Sequence, residues 1–133
     1  MALGLILFLS FNLLGQMNME LRSVVQFGQN SSDVWAYVDS AGDEYALVGL
    51  KGGLAILNVT DPDTTVSLFY IKGPNSTWRD IKTWNKHAYV TNETGGGLFI
   101  VDLSNLPNSV DTISWTADTM LHSAHNIYID ENG

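Results

Sequence analysis

Along residues 34–133 apolar and polar positions alternate in short bursts, and each burst closes on glycine, proline, aspartate or asparagine. Alternation with a period of two, bounded by turn formers, is the pattern of half-buried β-strands. It predicts strands over 34–38, 45–50, 54–59 and 66–71. A second series follows over 78–83, 87–92, 97–103 and 110–115, and a third opens at 126–130. A looser alternation over 21–27 (Leu21, Val24, Val25, Phe27) predicts one more strand ahead of these. No stretch of this part carries a long helical period.

The two full series are copies. Gly52-Gly53-Leu54-Ala55-Ile56-Leu57-Asn58-Val59-Thr60 recurs 44 positions later as Gly96-Gly97-Leu98-Phe99-Ile100-Val101-Asp102-Leu103-Ser104. At the same offset Tyr45 aligns with Tyr89. Four strands in a period near 44 residues match one blade of a β-propeller. A β-sandwich also has many short strands, but it does not require a repeated sequence. The expected fold is therefore all-β: a partial β-propeller of about two and a half four-stranded blades. The boundaries are 33–73 for the first blade, 74–117 for the second and 118–133 for the start of a third. A propeller ring closes with four or more blades, so the remaining blades of a longer chain are the expected partners of this one, with completion of the ring by oligomerising as the alternative.

Residues 1–15 differ in kind. The apolar run over 3–14 has the length of a signal-peptide core and is short for a membrane span. Gly15 supplies a small residue for cleavage, although no cation precedes the run and the first is Arg22. The reading is a signal peptide-like segment over 1–15, with an uncleaved anchor or a buried helix as alternatives, and a spacer with its short strand over 16–32. The expected location is secreted or cell-surface, with no membrane contact beyond the leader.

Composition narrows the chemistry. The chain has 133 residues, 45% of them hydrophobic, which is enough for one core. A net charge of −8 excludes a phosphate-backbone partner, which needs a basic surface. There is no cysteine, so disulfides, thiolate zinc sites, cysteine nucleophiles and lipid-anchored cysteines are excluded. No Gly-x-Ser-x-Gly elbow, phosphate loop or His-Glu-x-x-His motif occurs.

The motifs Tyr45-Ala46-Leu47-Val48-Gly49-Leu50, Asn58-Val59-Thr60-Asp61-Pro62, Ser76-Thr77-Trp78-Arg79-Asp80-Ile81-Lys82 and Ser123-Ala124-His125-Asn126-Ile127-Tyr128-Ile129 stand in that order. Together they resemble the choice-of-anchor B family, secreted bacterial proteins built from LVIVD-type repeats. The resemblance covers most of 32–133. It implies a β-propeller exported to the cell surface, of unestablished biochemical activity.

Candidate site residues lie where the copies differ. Arg79 and Asp80 open the innermost strand of the second copy. His125 and Asn126 stand at the aligned place in the third, and Trp35-Ala36 in the first. In a propeller these four polar residues converge at one mouth of the central channel, on an extracellular glycan or protein ligand. The competing reading is structural: Arg79 and Asp80 hold neighbouring blades together. His122 and His125 are a weak metal pair, since no third ligand is set by spacing. No cofactor is expected. The acidic turns at Asp61-Pro62-Asp63 and 39–44 offer calcium oxygen ligands, and are equally ordinary turn formers. Asn30, Asn58, Asn75 and Asn92 begin Asn-x-Ser/Thr sequons and read as turn and strand-end residues. Trp35, Trp78, Trp84 and Trp115 read as packing between blades rather than as sugar platforms. The expected role is a binding scaffold. The alternatives are a hydrolase or lyase at the channel mouth, using His125, Asp80 and Arg79, and a spacer with no ligand.

Overall fold

The computed structural model describes residues 19–133. The signal peptide-like segment over 1–15 and the first residues of the spacer lie outside the described residues. Eight strands form two antiparallel sheets of four, and no helix occurs among the described residues. The first sheet holds β1 (Ser31–Val38), β2 (Glu44–Leu50), β3 (Gly53–Asn58) and β4 (Val66–Lys72), in that order. The second holds β5 (Ile81–Trp84), β6 (His87–Val90), β7 (Leu98–Asp102) and β8 (Asp111–Trp115), again in order. Sequential order follows from the short turns, because antiparallel neighbours need only a hairpin between them. At Asn85-Lys86 both central residues take positive φ, 45° and 62°, the form whose twist matches the strands it joins.

Eight of the expected strands are present, and three expectations change. β5 begins at Ile81 rather than at 78, because the N–H groups of Arg79 and Asp80 bond to the side chains of Ser32 and Thr91 instead of a ladder. Residues 126–130 run without a sheet partner among the described residues. Residues 21–27 form no strand either; they lie over the first sheet.

The two sheets pack face to face. Tyr45, Leu47, Leu54 and Ile56 of the first meet Ile81, Ala88, Val90 and Val101 of the second, and all are buried. Each such aliphatic side chain contributes roughly 1.5–3 kcal/mol on leaving water. Tyr45 keeps its hydroxyl satisfied by donating to Asp39 Oδ2 at 3.2 Å, and burial pushes its pKa up to about 12. The opposite face of the first sheet (Val48, Leu50, Ala55, Leu57) is covered by Val25 and Phe27. Arg22 pairs there with Asp63, and Ser23 bonds Thr65, which ties this arm to the β3–β4 loop.

The ladders correct one alignment. Ile56 pairs with Leu47, whereas its copy Ile100 pairs with Tyr89. Leu47, not Tyr45, is therefore the counterpart of Tyr89. The cause is loop length: Leu50 pairs with Gly53 across a two-residue turn, while β6 and β7 leave off at Val90 and Phe99 around a longer loop. Trp35, Trp78, Trp84 and Trp115 are between 36% and 53% exposed, so none belongs to the fully buried core, while Trp35 reaches across to the second sheet at Thr83 and Lys82.

The repeated glycines have a specific cause. A Cβ on Gly53 would stand 2.0 Å from the Ile71 carbonyl oxygen, and one on Gly97 2.2 Å from that of Trp115. The second glycine of each pair thus lets the third strand of its sheet approach the fourth. Gly53→Ala should lower stability by roughly 2–4 kcal/mol, since backbone must move. Gly28→Ala, with a positive φ but open space around it, should cost only about 1 kcal/mol. Urea unfolding of the two variants measures the difference.

Candidate functional site: the rim between the sheets

One end of the sheet pair gathers the loops. The N–H of Ser76, in the β4–β5 connection, donates to Lys51 of the β2–β3 turn. Glu93, in the β6–β7 loop, donates its N–H to Ser76 Oγ at 3.1 Å. Ala124 donates to the Asn92 carbonyl, and Gly97 to that of His122. Asn92, 2% exposed, accepts N–H bonds from Thr94 and Gly95 on its side-chain oxygen, which holds the β6–β7 loop closed. This rim carries Arg79, Asp80, His122, His125 and Asn126.

Arg79 is 5% exposed. Its Nε donates to the Leu50 carbonyl at 2.8 Å, and its Nη2 to the carbonyls of Pro74 and Lys51. No carboxylate pairs with it among the described residues. Burial draws its pKa below the ordinary arginine value. A rigid fork of donors suits such carbonyl clamping, which a flexible ammonium would do less well.

Asp80 works differently. Its Oδ2 accepts the N–H of Ile127 at 2.8 Å, and its Oδ1 accepts from Lys82 Nζ. Partial burial pushes its pKa up, but the Lys82 and Ile127 hydrogen bonds outweigh that, and the carboxyl sits below its ordinary value of 3.8. Asp33 repeats the bond one sheet earlier: its Oδ2 accepts the N–H of Ile81, also at 2.8 Å. The first-copy counterpart of Arg79-Asp80-Ile81 is therefore Ser32-Asp33-Val34, not Trp35-Ala36. The shared Asp followed by an aliphatic residue was the signal for it. Trp35 has another task. Its Nε1 donates to Thr83 at 3.0 Å, and Lys82 Nζ lies 4.3 Å from the ring centroid, a cation–π contact across the sheets.

His125 contacts the Glu93 carboxylate through Nδ1 on the exposed surface, and its carbonyl accepts from Thr91 Oγ1 at 3.0 Å. Asn126 beside it is exposed. The His122 ring lies over Gly95, where an added Cβ would be 2.8 Å from its Cε1. Among the described residues no group of three His, Asp or Glu side chains is placed to hold a metal ion. The acidic turns spend their oxygens locally. Asp39 Oδ1 accepts the N–H groups of Ala41 and Asp43, and Asp61 Oδ1 accepts that of Asp63. The rim thus presents an exposed imidazole–carboxylate pair beside Asn126, over a layer in which Arg79 and Asp80 hold backbone.

No protein-family model, curated protein or solved structure matches the chain.

The Asp80 bonds carry a pH signature. Because its folded pKa is depressed, its contribution is present above the unfolded value of 3.8 and is lost as pH falls through the folded value. Asp80→Asn, which keeps the shape but removes the charge, should cost about 1.5–3 kcal/mol at neutral pH. The variant and the native chain should converge in stability as pH falls below 3.8 and the Asp80 carboxylate takes up its proton. Thermal unfolding across that range measures the convergence.

Proposed function

We propose that the two sheets are consecutive blades of an exported β-propeller whose role is to bind, as a secreted or cell-surface scaffold of the choice-of-anchor B kind. The observation that carries this reading is the repeated aspartate bond. Asp33 takes the N–H that opens the second sheet, and Asp80 takes that of Ile127, where a third sheet would open. The packing supports it. The face of the first sheet that meets the second carries Leu47, Leu54 and Ile56. The equivalent face of the second carries Tyr89, Leu98 and Ile100, with Trp115 half exposed beside them. Ile127, Tyr128 and Ile129 already lie along that face. A third blade would cover it as the second covers the first.

In this reading the leader directs export, and further blades complete the ring. Arg79, Asp80, His125 and Asn126 share the rim, with His125 and Asn126 reaching solvent for an extracellular glycan or protein. Arg79 and Asp80 hold the rim in shape beneath them. His125→Ala and Asn126→Ala should each weaken capture on a glycan or protein array about tenfold, the loss of one or two hydrogen bonds. Thermal unfolding should be nearly unchanged, because both side chains are exposed. A glycan- or ester-cleaving activity that His125→Ala abolishes would contradict the scaffold role.

A further inference from the structure

A cleft opens at the rim between the two sheets, and Arg79 reaches into it from one side. Leu54, Val90 and Phe99 supply its apolar walls, and Gly95 and Gly96 its lip. Lys72 stands at the same opening. Acidic side chains outnumber basic ones fourteen to six in this chain, yet none lines the cleft. The guanidinium of Arg79 is buried without a carboxylate partner, and its Nη1 has no acceptor among the described residues. Gly73 keeps space beside that nitrogen: a Cβ there would lie 3.8 Å from it. No fully buried side-chain nitrogen or oxygen among the described residues lacks a partner, so Nη1 reaches solvent at the opening, where its N–H donors are available to an anion.

We propose that this cleft is a binding site for a small organic carboxylate, held end-on through an N–H of Arg79 Nη1 and attracted by Lys72. Charge selects the anion, since nothing acidic opposes it. The apolar walls select a short hydrocarbon tail over an inorganic ion. Because Nε and Nη2 are committed to carbonyls, only Nη1 remains, which suits a one-point contact with a single carboxylate rather than a larger polyanion. This deepens the binding reading above and rests on the rim being a binding surface. It needs only the two sheets described, so it can fail while the third-blade argument stands, and the reverse.

Arg79→Ala would also release three backbone carbonyls, so the exposed Lys72 carries the test. Titrating the isotopically labelled chain with sodium butyrate, at ionic strength held with sodium chloride, should shift the amides of Gly73, Gly95 and Gly96 saturably. The same concentration of n-butanol should leave them in place. Lys72→Glu should weaken butyrate roughly tenfold with the rest of the spectrum preserved, as expected for reversing one charge near a partly screened site. Non-saturating shifts, equal shifts with butanol, or an affinity unchanged by Lys72→Glu would each overturn the proposal.

Discussion

The bond on which the arrangement depends is a carboxylate of one sheet accepting the N–H that opens the next. Asp33 reaches Ile81 across 48 residues of sequence. A sheet face of aliphatic side chains is nearly non-directional in what it attracts, and the hydrophobic effect alone leaves two such faces free to slide. A charge-assisted hydrogen bond where the first strands of the two sheets begin removes that freedom, because it is strong only at one distance and angle. With Ile81 pinned, Ala88, Val90 and Val101 come down on Tyr45, Leu47, Leu54 and Ile56. Trp35 and Lys82 then close the contact at its edge.

The rim inherits its shape from the same constraint. Arg79 lies beside the pinned residue, and its guanidinium joins the β2–β3 turn to the β4–β5 connection through carbonyls. The β6–β7 loop closes on Asn92 and on Ser76. These are backbone-satisfying bonds, so the polar residues that most resembled a binding group in sequence are partly spent on structure. His125, Glu93 and Asn126 are left facing solvent, and one edge of Arg79 faces the cleft.

Much of the sheet pattern was legible beforehand because strand alternation and turn residues are local. Tyr45 to Leu50 and Leu54 to Leu57 are short apolar runs around Lys51-Gly52, and nothing distant is needed to read them. The misread parts depend on distant partners. Tyr45 and Tyr89 align by identity, yet a longer loop places them on different rungs. Asp33 shares with Asp80 a following aliphatic residue, but it sits among turn formers, and its acceptor role shows only once Ile81 is beside it. Residues 126–130 have the right alternation but no neighbour to ladder with among the described residues. Glu93 and the cleft at Arg79 carry no sequence motif; they exist because a loop and two sheet edges meet.

Amide hydrogen exchange at Ile81 and Ile127 tests the aspartate bonds most directly. The account predicts that both N–H groups are protected in the native chain. Asp33→Ala should expose Ile81, and Asp80→Ala should expose Ile127, while the ladder amides of β6 and β7 stay protected. Unprotected exchange at Ile81 in the native chain, or protection there that survives Asp33→Ala, would contradict it.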